Sequence, residues 1–329
     1  MKFNLNLNPN FLNPEKLEKK SSRDGAGLGV LELGRKESKV VVVTTDVAGS
    51  TRANLFAKEF PQRFIQLGVA EQNAIGVCAG LAYQGLIPYY FVYSVFGIGR
   101  NWEPIRTLLA YPKNKVRIIA SHAGLATGPD GATHQMTEDF ALMRVLPNFT
   151  VISPADFQEA QKAVKAVVDL PGPVYLRLSR ADFPVFTNEK TPFEVGKILE
   201  LKSGQDLTII ATGSVVYNAL LAAFELEKKK ISARVLNCHT IKPLDTKAIL
   251  KAARETKRLV VVEDHQKAAG LGGAVAELVS QHYPVPLLFL GIPDCFGESG
   301  KMEELYRLFG LDKEGIFQAV KDWFLKIKR

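Results

Sequence analysis

Short apolar runs, each about the length of one β-strand, alternate with helical patterns along most of the chain. The runs are rich in β-branched residues, which is typical of strands buried on both faces of a sheet. The predicted strands are 39–46, 87–94, 116–121, 149–154, 174–179, 207–212, 233–238, 258–264 and 286–291. Helical patterns lie between them at 71–84, 100–110, 156–169, 214–229, 245–255 and 271–282. Because a helix between two strands lets the second run parallel to the first, this order predicts an α/β fold with mostly parallel sheets.

The strand–helix alternation restarts after an irregular stretch at 180–197. A chain of 329 residues is also too long for one ordinary hydrophobic core. We therefore predict two domains, 21–190 and 191–329, each with a mostly parallel sheet flanked by helices. Residues 1–20 lack the continuous apolar core of a signal peptide, and we predict an N-terminal arm that is mobile or covers a partner.

The composition argues against several classes of protein. No apolar run reaches the roughly 18 residues of a membrane span, and the three cysteines are too scattered for a disulfide framework or a zinc site. The net charge of +8 is spread along the chain without the interleaved aromatic residues that nucleic-acid binding favours. We expect a cytoplasmic globular protein with neither a membrane nor a nucleic acid as its partner.

One carboxylate stands where water is expected to be scarce. Glu71 opens a predicted helix just after a mostly apolar stretch, and the helix beyond Asn73 is almost wholly apolar and is predicted to be buried. A glutamate in the first turn of a helix usually just complements the helix dipole. Burial, however, disfavours the charged carboxylate and raises its pKa, so that a neutral acid can donate a proton near pH 7. Glu71 is therefore a candidate for activating a heteroaromatic cofactor.

A second candidate region is the Gly-rich segment 121–142. His122 ends a strand, and Asp130 and His134 follow in a loop that leads into a helix. Ligands of open α/β sheets bind beyond the carboxyl ends of the strands. Each residue alone could be an ordinary solvated or capping residue, but the three together favour a site. Their spacing does not match a metal-binding helix, so we assign no metal ligand in this chain.

Two aromatic residues, Tyr93 and Phe96, lie at the end of the predicted strand 87–94. They could form an apolar wall for a planar ring, although the same spacing also suits core packing. Common nucleotide motifs are missing: "GLGG" at 270–273 lacks the full dinucleotide fingerprint, and the chain has no Walker loop. A serine nucleophile elbow is absent as well.

Six segments together resemble one family. They are 22–34, 44–51, 63–82, 94–113, 121–148 and 174–180. On the basis of these segments, the chain resembles the C-terminal half of a transketolase encoded as a separate subunit. The resemblance extends from about Ser22 to the end of the chain. The resemblance implies a pyrimidine-binding domain followed by a transketolase C-terminal domain. It also implies transfer of a two-carbon ketol unit between ketose and aldose phosphates, as in the pentose phosphate pathway, with thiamine diphosphate as cofactor.

The resemblance implies roles for single residues around the cofactor. Glu71 falls on the glutamate that contacts N1′ of the aminopyrimidine ring. Tyr93 and Phe96 resemble the aromatic wall around that ring, and Asp46 matches an aspartate beside the cofactor. His134 matches the histidine near the reacting oxygens of the substrate, where it would carry a proton or polarise a bond.

The resemblance also implies a set of substrate-binding residues. Arg23, Ser50, His122 and Arg180 match positions that hold the sugar phosphate. Asp130 matches the aspartate that reads the C2 hydroxyl of the acceptor. Guanidinium groups are well shaped for phosphate oxygens, so the set implies phosphorylated sugars as substrates.

The chain departs from the family pattern at three places. Pro129 stands where the family often has an acidic residue, and Gly99 where some full-length members have an aromatic residue, so the acceptor preference is open. The family's GDG motif and its following Asn, which hold the diphosphate and its divalent ion, are absent, since "RDGAGLG" at 23–29 is not GDG. The resemblance therefore implies that an N-terminal transketolase subunit ligates Mg²⁺ or Ca²⁺. It further implies two copies of each subunit and an inactive isolated chain.

Three other functions compete with this interpretation. The β subunit of a thiamine-dependent 2-oxoacid dehydrogenase has a similar length and domain order, but the "DGATHQ" loop beginning at Asp130 and the phosphate-binding set favour transketolase. The synthase that makes deoxyxylulose phosphate normally carries all its domains in one chain. A non-catalytic subunit would need a degraded site, whereas Glu71, His134 and Phe96 are all present.

Overall fold

The computed structural model describes residues 6–327. The β-strands are β1 (Lys19–Lys20), β2 (Val40–Thr44), β3 (Phe64–Gln66), β4 (Ile87–Tyr93), β5 (Arg117–Ser121), β6 (Thr150–Ile152), β7 (Val174–Arg177), β8 (Phe183–Pro184), β9 (Leu199–Lys202), β10 (Leu207–Ala211), β11 (Ala233–Asn237), β12 (Thr240–Lys242), β13 (Leu259–Gln266) and β14 (Leu287–Ile292). The α-helices are α1 (Ser22–Gly34), α2 (Ala48–Thr51), α3 (Asn54–Glu59), α4 (Glu71–Tyr83), α5 (Trp102–Pro104), α6 (Asp139–Val145), α7 (Phe157–Ala166), α8 (Val216–Lys228), α9 (Thr246–Thr256), α10 (Leu271–His282), α11 (Met302–Leu308) and α12 (Lys313–Ile327). Short 3₁₀ segments lie at Pro14–Lys16, Pro61–Arg63, Leu125–Asp130 and Gly213–Val215, and π-helical turns at Val95–Gly99 and Ile105–Ala110.

The first sheet has the strand order β12-β6-β7-β5-β4-β2-β3. Its strands from β6 to β3 pair in parallel, and β12 adds an antiparallel edge. Residues alternate between the two faces: Tyr89 and Phe91 pack toward α1, α3 and α7, whereas Tyr90 and Val92 pack toward α4 and α6. The strands are therefore buried on both faces, as the continuous apolar runs predict.

The second sheet has the order β14-β13-β10-β11-β9 and is parallel except for β9. Helices α8 and α12 cover one face, and α9 and α10 cover the other. Helices α9 and α10 also share one buried core with α4 and α6 of the first sheet, so the two sheets are joined through apolar contacts. Because β12 lies in the second half of the chain, that half also supplies an edge strand to the first sheet. The α/β fold with two mostly parallel sheets is confirmed, while the domain limits at 20/21 and 190/191 stay predictions.

The structure corrects two local expectations. The helix predicted at 100–110 is broken into short α5 and flanking π-helical turns, because Pro104 has no N–H for the helical ladder. Within the predicted arm 1–20, the described residues lie against the protein: β1 pairs with β8, and Leu7 and Leu17 are buried. Residues 1–5 lie outside the described residues.

Candidate active site

The predicted site residues follow neighbouring strands at one edge of the first sheet. Asp46 comes two residues after β2, Tyr93 ends β4, His122 follows β5, and Arg180 lies three residues after β7. These strands are adjacent and parallel in the order β7-β5-β4-β2, so their carboxyl ends meet. The structure thus brings together residues that are far apart in the sequence, at the edge where α/β sheets bind ligands.

Four aromatic rings form a continuous wall at this edge. The ring of Tyr93 stacks on His122 with a centroid distance of 3.7 Å, and Phe96 lies 5.9 Å from Tyr93 in a stacked arrangement. His134 meets Phe96 edge-on at 5.4 Å. Phe96 and His134 are half-buried, so the wall is reached from outside the chain. A half-open apolar wall with two imidazoles is suited to a planar ring and a polar substrate together.

His122 is held as a neutral imidazole. It is 2% exposed, its backbone has the left-handed φ of 59°, and its Nδ1 lies 2.9 Å from the hydroxyl of Ser121. Burial, and after it the positive charges of Arg23 and Arg180, lower the pKa of His122 to about 3. At neutral pH the ring therefore carries one proton and can donate a hydrogen bond without adding charge.

Two arginines flank this imidazole. Arg23 lies in the first turn of α1, and its Nη1 donates to the carbonyl of Ser50 at 2.8 Å. Arg180 donates from Nη1 to the carbonyl of Thr127 at 3.1 Å, and its Nε lies 3.9 Å from Oδ2 of Asp130. Burial, and after it the positive charge of Arg52, lower the pKa of Arg23, while Asp24 opposes this shift. The side chains of Arg23, His122 and Arg180 are therefore close together, Ser50 contacts Arg23 through its backbone carbonyl, and Asp130 lies beside Arg180.

Glu71 is buried at the start of α4, with only 8% of its surface exposed. Its backbone carbonyl accepts a hydrogen bond from Nδ2 of Asn101 at 3.1 Å. Among the described residues, none forms a hydrogen bond or an ion pair with its carboxylate, which leaves both oxygens for an external donor. Asp46 is exposed, has a left-handed φ of 63°, and its N–H donates to Oε1 of Gln66 at 2.8 Å.

Helix α4 is less enclosed than its composition predicts. Ala74, Ile75 and Cys78 are buried, but Gly76 and Gly80 are exposed, and a Cβ at either glycine would meet nothing within 4 Å. Beyond Asn73, the exposed side of α4 carries small residues such as glycine instead of polar ones. Composition alone therefore could not show which side of the helix is buried within this chain.

A buried polar network behind the aromatic wall was missed from the sequence. Ser94 and Tyr175 lie 3.0 Å apart through their hydroxyls, Tyr175 donates to Oδ2 of Asp139 at 2.5 Å, and Arg177 donates from Nε to the same oxygen at 2.7 Å. Burial opposes the charge of Arg177, but Asp139 and Asp264 raise its pKa. The one signal in the sequence was a charged residue inside the apolar strand 174–179, which is costly to bury unless it is paired.

No cluster of three or more His, Cys, Asp and Glu side chains that could hold a metal ion occurs within residues 6–327. The "RDGAGLG" segment forms the first turns of α1, where Asp24 accepts hydrogen bonds from Ser21 and Arg52, each at 2.5 Å. Pro129 and Gly99 are both exposed. In the same described range, no helix is long and apolar enough to cross a bilayer.

Two family models match the chain in sequence. The transketolase pyrimidine-binding domain matches residues 18–185, and the transketolase C-terminal domain matches residues 196–316. The chain belongs to the transketolase family. Transketolases are transferases that use thiamine diphosphate. The half-buried rings of Tyr93 and Phe96 offer the kind of apolar face against which a planar ring packs.

Relatives within the transketolase family are similar over most of this chain. A protein of Methanocaldococcus jannaschii, provisionally named transketolase C-terminal section, is 46% identical over 92% of this chain and 96% of its own length. One of the subunits of the apulose-4-phosphate transketolase of Phocaeicola vulgatus is 42% identical over 90% of this chain and 95% of its own length. A solved structure described as a split gene transketolase, inactive beta4 tetramer, has a TM-score of 0.87 and 42% identity. The structural match covers 94% of this chain and 99% of the solved chain.

Proposed function

We propose that this chain is the C-terminal subunit of a split transketolase. It transfers a two-carbon ketol unit between ketose and aldose phosphates, with thiamine diphosphate bound at the interface with an N-terminal subunit. The observation that carries the proposal is the contact of Tyr93, Phe96, His122 and His134 at a sheet edge flanked by Arg23 and Arg180. Free cysteines suit the reducing cytoplasm in which we place this enzyme of the pentose phosphate pathway.

The cofactor side of the site is assigned to Glu71, Tyr93, Phe96 and Asp46. When bound, thiamine diphosphate supplies the electron sink that lets a carbon–carbon bond beside a ketose carbonyl break. Glu71 is assigned the contact with a ring nitrogen, because its carboxylate is largely shielded from water and lacks a protein partner among the described residues. Tyr93 and Phe96 orient the ring by face contact and exclude water from it.

The substrate side of the site is assigned to His134 and the phosphate-binding set. His134 is half-buried at the end of the aromatic wall, where it moves a proton to or from a substrate oxygen. Arg23 and Arg180 provide the charge that holds a phosphate, and neutral His122 adds a directed hydrogen bond. Ser50 lies beside Arg23, and Asp130 reads a sugar hydroxyl.

The divalent ion is assigned to the partner subunit. In this chain Asp24 of the "RDGAGLG" segment is engaged by Ser21 and Arg52 rather than open to a cation. Magnesium and calcium need several oxygen ligands. The relative solved as a split gene transketolase is described as an inactive β tetramer, which supports an N-terminal subunit that completes the site. We propose two copies of each subunit.

The test is reconstitution of the two subunits. The purified chain and the N-terminal subunit, each alone and mixed, are assayed with thiamine diphosphate and magnesium for ketol transfer from xylulose 5-phosphate. Only the mixture is expected to turn over. Pyruvate and branched 2-oxoacids serve as competing substrates, and their use in place of the phosphosugar would favour the 2-oxoacid dehydrogenase alternative. Full turnover by this chain alone would refute the split site.

A further inference from the structure

Residues 122–135, which we call the substrate loop, rest on the C-terminal domain. The loop carries Asp130 and His134, so its position decides where both side chains lie. At its start, the N–H of Leu125 donates to Oδ1 of Asp264 at 3.0 Å. At its end, Nε2 of Gln135 donates to the carbonyl of Glu298 at 2.8 Å. Each end of the loop is thus hydrogen-bonded to a residue from the far half of the sequence.

Asp264 is the more deeply fixed of these two anchors. It is 1% exposed, and its Oδ2 accepts a hydrogen bond from the hydroxyl of Tyr306 at 2.9 Å. The hydroxyl of Ser214 lies 2.7 Å from that of Tyr306 and completes the group. The backbone carbonyl of Asp264 accepts from Arg177 at 2.7 Å, which links it to the network behind the aromatic wall. A buried carboxylate is costly unless its oxygens are satisfied, and here both have a fixed donor.

The loop backbone lies directly against this carboxylate. Gly124 has a φ of 71°, and a Cβ at this position would lie 2.2 Å from Oδ2 of Asp264. Gly131 repeats the arrangement at the other end, with a φ of 76° and a Cβ that would lie 2.4 Å from Oγ of Ser299. Only glycine permits both the left-handed backbone and the close approach. The loop therefore has little room to shift while these contacts are present.

We propose that Asp264 is a positioning residue that sets the substrate loop for acceptor binding. The C-terminal domain thereby determines the KM for the sugar phosphate through the backbone of Leu125, although Asp264 is assigned no contact with the substrate. The proposal rests on the proposed function for its kinetic meaning. Its structural part, that Asp264 holds the loop, stands on the contacts alone. Tyr306 and Ser214 keep the carboxylate in place.

The test compares four variants with the wild-type chain. Asp264→Ala removes both acceptors, Asp264→Asn keeps one oxygen for the Leu125 amide, and Gly124→Ala forces the backbone away from the carboxylate. Gly310→Ala is the matched control, because Gly310 also has a positive φ of 66° in the C-terminal domain but a Cβ there would meet nothing within 4 Å. Hydrogen exchange of the peptide spanning the loop is measured by mass spectrometry, and steady-state kinetics are measured on the reconstituted pair.

Asp264→Ala and Gly124→Ala are expected to speed exchange in the loop by about tenfold or more, because the Leu125 amide loses its acceptor. In the same variants the acceptor KM rises roughly ten- to hundredfold while kcat changes less. Asp264→Asn should keep loop exchange and acceptor KM close to their wild-type values, and Gly310→Ala should change neither. Unchanged loop exchange in Gly124→Ala and Asp264→Ala alike, or faster exchange with an unchanged acceptor KM, would overturn the proposal. An inactive wild-type pair would instead refute the proposed function, and the exchange data would still decide whether Asp264 holds the loop.

Discussion

The neutral state of His122 predicts a specific loss of stability in mild acid. An unfolded histidine titrates near 6.5, whereas burial and the neighbouring arginines lower the folded pKa of His122 to about 3. Between these two values the unfolded chain binds a proton that the folded chain excludes. The free energy of unfolding therefore falls as the pH drops below 6.5, by about 1.4 kcal/mol per pH unit. From about pH 7.5 to about pH 5.5, this one residue accounts for about 1.4 kcal/mol.

The assay is urea denaturation of the isolated chain at several pH values, for the wild type and for His122→Gln. Glutamine does not titrate, so the two curves of unfolding free energy against pH should converge by about 1.4 kcal/mol as the pH is lowered to about 5.5. Loss of the stacking on Tyr93 changes the offset between the curves but not their difference in slope. His239→Gln repeats the test elsewhere in the fold. Burial lowers the pKa of His239 to about 4, so the same convergence of the two curves is expected there.

Parallel curves for the wild type and His122→Gln would refute the reasoning, because they would mean that His122 titrates alike in both states. The imidazole proton resonances give an independent measurement. The His122 signal should keep the chemical shift of the neutral ring down to about pH 5, more than one unit above its folded pKa of about 3. Titration near 6.5 would mean that His122 is in contact with water and that the two arginines do not lower its pKa.

Three further predictions concern the cofactor, the helix packing and the buried ion pair. Glu71→Gln should lower kcat of the reconstituted enzyme by roughly 10²- to 10⁴-fold, and Glu71→Ala by more, because proton transfer is lost; near-normal turnover in steady-state assays would contradict this role. Gly25→Ala should cost about 1–3 kcal/mol in urea denaturation, since its Cβ would lie 2.1 Å from the carbonyl oxygen of Phe157. Gly76→Ala, which meets nothing within 4 Å, should instead stabilise the isolated chain by about 0.5–1 kcal/mol. Arg177→Met should cost about 3–5 kcal/mol, because it leaves a buried carboxylate unpaired, and a cost below about 1 kcal/mol would show that the pair is dispensable.

The sheet architecture could be predicted because it depends on local patterns. Short β-branched runs bounded by Gly and Pro give strands whether or not their neighbours are known, and all nine predicted strands overlap observed ones. The same patterns placed the candidate site residues near strand ends, and Tyr93 does end β4 while His122 follows β5. Their ring contact at 3.7 Å needed the additional fact that β4 and β5 are neighbours, which only the pairing shows.

What could not be predicted depends on contacts between distant segments. The glycines of α1 suggest a poor helix, but Gly25 and Gly29 allow α1 to pack closely on α7. The pairing of β12 with β6 of the first sheet could not be predicted, because so short a strand has no distinctive sequence pattern. Arg177 stands inside a predicted apolar strand, which indicates that it needs a partner, but only the structure shows that this partner is Asp139.

Burial, and after it the charges at the sheet edge, explain why a histidine there is kept neutral. Arg23 and Arg180 act on the same imidazole and each lowers its pKa, so the ring itself adds no positive charge to the cluster. A sugar phosphate would meet two fixed cations and one uncharged donor. The arginines then supply long-range attraction, while His122 supplies direction, since its ring is held by Tyr93 and Ser121. A dianion bound there would favour protonation of His122, so its pKa should rise when a phosphosugar binds, in proportion to how closely the phosphate approaches the ring.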